Sequence, residues 1–290
     1  MQVHLVDGTY ELYRQHFGQA TRHSDPPPFA GTIGVLTSTI QLLQDGATHI
    51  GVATDHVIES FRNDLYDGYK TSEGMEPVLL EQIPILEDAL RAMGVTVWAM
   101  EKYEADDALA SAATVACEDR TVHKVLILTP DKDLGQCVQG KRVVQFDRRN
   151  NIMIDEAAVV EKFGVGPSSI IDYLALVGDT ADGFPGLQGW GAKSASTVLA
   201  KYQLIDNIPD DHNQWIADGV TVRSAEKLAS TLRDNRKEAA LFKQLATLIT
   251  DVPVGEVGDW LWTGPTDRFE LVANKLGAPQ LVERVARLKK

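Results

Sequence analysis

Nine acidic residues stand at positions from which a folded chain could gather them: Asp7, Asp55, Glu104, Asp106, Asp107, Asp131, Asp133, Asp179 and Asp182. Each alone has an ordinary explanation. An Asp after a strand usually caps a turn, and acids in the first turn of a helix suit its dipole. Glu104-Ala-Asp-Asp opens a run of good helix formers, Ala108 to Val115, but capping needs one acid and the stretch supplies three. Two carboxylates ~4 Å apart repel by roughly 4 kcal/mol at an effective dielectric of 20. A set of this size therefore calls for cations. Donors that are all oxygen, with no Cys or His, favour Mg²⁺, or Mn²⁺ in its place, over zinc. Paired hard cations serve phosphoryl transfer, one activating water and the other stabilising the leaving oxygen.

The elements that must position these acids follow from the hydrophobic pattern. Val3–Val6, His49–Asp55, Val95–Trp98 and His123–Thr129 are short apolar runs that read as strands, three of them leading directly into acids. Arg142–Phe146 and Asn151–Ile154 read as two further strands around a turn. Helical spacing covers Thr9–Phe17, Thr32–Leu43 and Val78–Met93, with Pro77 well placed at a helix start. The triple proline after Asp25 predicts a loop. Strands alternating with helices predict an α/β domain with a mostly parallel sheet over residues 1–160. In open sheets of this kind ligands gather at the carboxyl ends of strands, where Asp7, Asp55, Asp131 and Asp133 fall. Beyond Asp155 the pattern turns helical, with helices predicted at Ser168–Val177, Ala195–Tyr202, Val222–Leu232 and Lys237–Ile249 and two short ones at the end. Gly178–Lys193 interrupts them with five glycines and a proline, a loop of special backbone geometry that holds Asp179 and Asp182.

The 290 residues carry a net charge of −13, which by itself opposes a nucleic-acid partner. The distribution removes the objection. Residues 1–160 hold 13 basic and 24 acidic side chains and the remainder 15 and 17, so the excess lies in the half that holds most of the nine acids. Cys117 and Cys137 are too few for a disulfide framework or a tetrahedral zinc site. No segment approaches the ~20 apolar residues of a membrane span, and the N-terminus has no signal-peptide pattern. A cytoplasmic monomer without a membrane partner is expected.

Taken together, Leu5-Val-Asp-Gly, Val52-Ala-Thr-Asp55 with Phe61-Arg62 and Tyr69-Lys70, Tyr103-Glu-Ala-Asp-Asp, Leu128-Thr-Pro-Asp-Lys-Asp-Leu and the glycine-rich stretch from Gly178 to Ala195 resemble the 5′-nuclease family. This family comprises 5′–3′ exonucleases and flap endonucleases, including the N-terminal domain of bacterial DNA polymerase I. The resemblance covers roughly residues 1–250 in order. It implies a PIN-like nuclease domain over 1–160 with a helical arch at about 70–93. It also implies a helical DNA-binding part over 161–290 with a helix-hairpin-helix at about 178–202. It makes all nine acids ligands of two metal ions, with Asp131 and Asp133 at the catalytic centre and Lys70 on the scissile phosphate. Arg62, Lys70, Gly186, Gly189, Gly191, Lys193 and Ser194 would contact DNA, and the hairpin would bind K⁺ through backbone carbonyls. By itself the hairpin stretch is a weak signal. It lacks the third glycine of a dinucleotide fingerprint, and Ala192 separates Gly191 from Lys193, unlike a nucleotide-triphosphate loop.

The function so implied is a stand-alone two-metal 5′–3′ exonuclease or flap endonuclease of DNA replication or repair, acting on 5′ flaps, nicks or ends. One departure stands against it. The family carries an arginine three residues after the arch lysine, and here that position is Glu73, followed by Glu76, Glu81, Glu87 and Asp88 with no base before Arg91. Single strands are normally guided by a positive groove. This supports one alternative, a catalytically weak or inactive DNA-structure-binding relative; a second is a PIN-type ribonuclease, which shares the acidic centre.

Overall fold

The computed structural model describes residues 1–20 and 28–289; the expected loop at Asp25–Pro27 lies outside them. In chain order the elements are β1 (Gln2–Asp7), α1 (Gly8–Ala20), α2 (Ala30–Gln44), β2 (His49–Asp55), α3 (Pro77–Ala92), β3 (Thr96–Met100), α4 (Ala105–Glu118) and β4 (Lys124–Leu128). They continue with β5 (Val143–Asp147), β6 (Ile152–Ile154), α5 (Glu156–Phe163), α6 (Ile170–Val177), α7 (Ala192–Tyr202), α8 (His212–Ala217), α9 (Ala225–Asp234), α10 (Arg236–Ala246), α11 (Phe269–Lys275) and α12 (Gln280–Ala286). The α/β architecture predicted from the alternation is present. Among the described residues no helix is long and apolar enough to cross a membrane.

The chain forms two compact units, neither of them one continuous stretch. The first comprises Met1–Ser60, Ser72–Thr129 and Ile249–Lys290; the second comprises Phe61–Thr71 and Pro130–Leu248.

In the first unit β3, β2, β1 and β4 lie side by side in that order, all parallel. Val3, Leu5, Val6, Val52, Val125 and Ile127 are all buried, as expected of strands covered on both faces. Gly51 is required in β2, because a Cβ there would meet the Trp98 indole at 2.0 Å. Trp98 in turn donates from Nε1 to Val254 O (3.0 Å) and meets Trp260 edge-on, which fixes the returning C-terminal segment on the unit. The small residues of α4 (Ala105, Ala108, Ala112, Ala116) are buried and let the helix approach closely.

Residues 70–93, the stretch given to the arch, divide between the units after Thr71. Helix α3 buries Leu79, Ile83, Leu86 and Leu90 within the first unit. The picture of an unpartnered acidic stretch is corrected here. Glu87 is 2% exposed, accepts from Thr54 Oγ1 (2.7 Å) and meets His56 Nδ1 (2.9 Å). Asp88 pairs with Arg268 (2.9 Å) and Glu76 with His16 (3.2 Å). Their partners lie far away in sequence, so the lack of local bases gave a false impression of repulsion.

In the second unit β5 and β6 form an antiparallel hairpin. The helices α6, α7, α9 and α10 share a core with Phe184, Leu187, Trp190, Trp215 and Phe242. Helix α5 is a local feature: Asp155 accepts from Ala158 N–H at its start, and Gly164 ends it at φ 71°. The pattern predicts that α10 runs to Ile249, but it stops at Ala246. Leu248 N–H donates instead to Gln136 Oε1 (3.1 Å), which holds the chain out of the helix.

Candidate metal centre

The first unit places five acids at strand ends and at the start of α4 and fixes four of them by hydrogen bonds. Asp7, at the end of β1, accepts from Tyr10 N–H (2.8 Å) and from the Thr129 hydroxyl (2.9 Å). Asp55, at the end of β2, accepts from Ala105 N–H (2.7 Å), the first amide of α4, where a carboxylate is favoured. Its own N–H donates to the Thr9 hydroxyl (2.8 Å). Glu104 takes the Ser60 hydroxyl (2.7 Å), and Asp106 sits half-buried in the first turn of α4.

Asp107 departs from its expected role as a ligand. It is fully buried, with Oδ2 accepting from Glu104 N–H (3.0 Å) and Oδ1 from Ile249 N–H (2.9 Å). It therefore caps α4 and anchors the returning chain.

The second unit gathers Asp133, Asp179 and Asp182 so that one oxygen of each lies within 4.8 Å of the others. All three are buried. The geometry comes from a tight turn in which Asp179 and Phe184 exchange backbone hydrogen bonds (2.8 and 3.1 Å). Gly178 and Gly186 close the stem of that turn at φ 87° and 69°. A Cβ on Gly178 would stand 2.4 Å from the Pro185 carbonyl carbon, and one on Gly186 would stand 2.3 Å from Gly178 N. Gly186 is thus a buried packing residue and not the DNA contact expected of it.

Asp133 Oδ1 is buried without a hydrogen-bond partner. Burial, then the neighbouring carboxylates of Asp131, Asp182 and Asp179, push its carboxyl well above the usual range, and Lys132 opposes the shift. A buried, unpaired oxygen facing two further carboxylates fits a hard cation and is costly without one. Asp131, the exposed member, accepts from Asp133 N–H (2.9 Å), so the backbone amide sets the spacing of the pair.

Two ammonium groups face these acids. Lys70 Nζ lies 2.8 Å from Asp182 Oδ1, and Lys70 N–H donates to Asp182 O (2.9 Å). Gly183, at φ 88°, permits this junction, because a Cβ there would fall 2.2 Å from Gly68 O. Lys132 Nζ lies 2.5 Å from Asp179 Oδ2 and 3.8 Å from Asp133 Oδ1. Burial works against its charge, but Asp133, Asp179 and Asp131 outweigh it and hold the ammonium above its ordinary pKa. The sequence reading passed over Lys132. The only local signal was its position between Asp131 and Asp133, which is also that of an ordinary surface lysine.

Arg62, expected on DNA, is 1% exposed. Its guanidinium donates to Leu245 O (2.8 Å) and Thr247 O (2.9 Å), capping the carbonyl end of α10. It pins the segment that carries Lys70 and has no surface to offer a ligand.

The hairpin residues Gly189 and Gly191 to Ser194 line a groove of their own. Gly189 is exposed at φ 86°, and Gly191 precedes α7, where its N–H donates to Ser194 Oγ (3.0 Å). A groove of about 780 Å³ runs between the N-termini of α7 and α9, lined among others by Gly189, Gly191, Lys193, Ser194, Arg223 and Lys227. Helix N-terminal amides with cationic side chains beside them make an anion site. Arg223 and Lys227 were missed in the sequence, because only the fold brings α9 beside the hairpin.

The family model for the 5′–3′ exonuclease N-terminal resolvase-like domain matches residues 2–164, and that for the 5′–3′ exonuclease C-terminal SAM fold matches 165–268. The chain belongs to the 5′–3′ exonuclease family. It is 34% identical over 281 residues to DNA polymerase I of Pseudomonas aeruginosa, covering 93% of this chain and 29% of that protein. It thus spans less than a third of the length of that relative. A structure of the phage T5 5′-exonuclease with bound zinc superposes with a TM-score of 0.68 at 17% identity, over 99% of this chain and 98% of that one. The catalytic core of Rad2 in complex with a DNA substrate gives 0.63 at 17% identity, over 100% and 92%. These two establish the likeness of fold.

Proposed function

We propose that this protein hydrolyses phosphodiester bonds in DNA as a divalent-metal-dependent 5′–3′ exonuclease and flap endonuclease. The observation that carries the proposal is the Asp133–Asp179–Asp182 cluster, whose buried Asp133 oxygen accepts no hydrogen bond and whose donors are all oxygen. Mg²⁺ is the proposed ion, with Mn²⁺ able to replace it. Asp133, Asp179 and Asp182, with the exposed Asp131, would hold metal from the second unit. Asp7, Asp55, Glu104 and Asp106 would do so in the first, the first three oriented by the hydrogen bonds they accept. A carboxylate oxygen that accepts one hydrogen bond keeps a lone pair for a cation.

When bound, the ions supply an activated water and neutralise the charge on the departing oxygen. The remaining work falls to side chains. Lys70, fixed through Asp182 and the Gly68–Gly183 junction, would hold a non-bridging oxygen of the scissile phosphate. Lys193, Arg223 and Lys227, with the amides that open α7 and α9, would grip the duplex phosphates, and K⁺ is proposed at the hairpin turn. The acids at and before α3 oppose a flap less than their number suggests, since Glu76, Glu87 and Asp88 are engaged by His16, Thr54 and Arg268.

The test is a 5′-labelled double-flap DNA incubated with the purified protein in Mg²⁺, beside Asp131→Ala/Asp133→Ala. Cleavage near the junction by the native protein alone is expected. Binding without cleavage in either Mg²⁺ or Mn²⁺ would reduce the protein to a DNA-structure-binding relative.

A further inference from the structure

Lys132 has no part in the chemistry just described, yet it stands inside the acidic centre. Its ammonium contacts Asp179 Oδ2 at 2.5 Å and lies 3.8 Å from the unpartnered Asp133 Oδ1. These are two of the three carboxylates placed closely enough to share one ion. The side chain remains 33% exposed, so its flexible stem has a route to solvent. Lys70 differs: it is tied to Asp182 by both backbone and side chain. Lys132 reaches the cluster through its ammonium, by charge and by a hydrogen bond to Asp179, and a cation would take the same oxygens.

We propose that Lys132 is a built-in counter-ion that takes the place of a divalent cation between Asp133 and Asp179 and is displaced when the cation binds. The inference rests on the reading of these carboxylates as metal ligands. It has two consequences. The affinity of the centre for metal is a difference, the cation's attraction less that of the ammonium it expels. The ion-free protein also keeps its carboxylates assembled, because Lys132 offsets part of their repulsion.

The test measures Mn²⁺ binding by electron paramagnetic resonance of the free ion, without DNA and without turnover. It compares the full native chain, Lys132→Met, and Lys162→Met, which makes the same charge change at an exposed lysine of α5. Lys132→Met should bind its tightest Mn²⁺ about tenfold more strongly than the native chain, a difference of about 1.4 kcal/mol. Lys162→Met should stay within about twofold of the native chain, as a distant surface charge is largely screened. In EDTA, Lys132→Met should melt below the native protein, and saturating Mn²⁺ should raise its Tm by the larger amount. If Lys132→Met does not fold without metal, Lys132→Gln prepared with Mn²⁺ and titrated against a chelator makes the same comparison. Equal or weaker Mn²⁺ affinity in the Lys132 variants overturns the inference alone. No Mn²⁺ binding by the native chain overturns the ligand reading as well.

Discussion

The acids of the first unit and those of the second are the same kind of residue held in opposite ways. In the first unit Asp7, Asp55, Glu104 and Asp107 each accept hydrogen bonds from neutral donors, backbone amides and hydroxyls. Such bonds favour the charged carboxylate and stabilise the fold. In the second unit Asp179 and Asp182 are matched by ammonium groups, and Asp133 keeps an oxygen unsatisfied among like charges. The first unit holds its carboxylates in place as hydrogen-bond acceptors whether or not a cation is present, and the second stores repulsion that a cation would relieve. Function is expected where local satisfaction fails.

Four substitutions sharpen or break this contrast. The largest effect is expected from Asp133→Asn. It should abolish detectable cleavage of the double-flap DNA, yet raise stability in EDTA by about 1–3 kcal/mol, since a buried carboxyl crowded by Asp131, Asp182 and Asp179 gives way to a neutral amide. Mg²⁺ should raise the melting temperature of the native protein by more than that of Asp133→Asn. A loss of stability in this variant would show that Asp133 is satisfied after all.

Lys70→Ala should lower kcat by on the order of 10²–10³-fold, measured under saturating DNA, as expected when a donor aimed at developing charge is lost. Asp107→Asn should have the opposite profile from Asp133→Asn. An amide nitrogen would face a backbone N–H, so urea unfolding should show a loss of about 1.5–3 kcal/mol, with cleavage by the folded fraction largely kept. Glu73→Arg is the mildest. It should speed cleavage of 5′-flap DNA by a few fold at low salt and less at high salt, because an exposed charge acts through screened attraction. If cleavage by Glu73→Arg does not rise, Glu73 is not an obstacle to the single strand.

The order of elements was legible in the sequence because it depends on local pattern. Buried parallel strands such as Leu126-Ile-Leu128 show as apolar runs, Pro77 and Gly164 mark ends, and acids after strands mark the carboxyl edge. The placing of Asp7 and Asp55 at strand ends and of Glu104 at the start of α4 followed from that edge. So did the place of Asp179 and Asp182 in a turn that demands glycine.

Tertiary structure alone decided which charged residues serve a site and which serve the fold. Arg62 and Leu245 are 183 positions apart, and Asp107 and Ile249 are 142 apart. Nothing in the neighbourhood of either residue encodes a partner at that distance. For the same reason Glu87 read as one charge in a repelling stretch until Thr54 and His56 came beside it. Lys132 was hidden by its neighbours, and Arg223 and Lys227 by the thirty-odd residues between them and the hairpin. A sequence states which groups are present and how often they recur along the chain. The protonation, orientation and availability of a charge depend on what surrounds it in space, and that environment exists only once the chain has folded.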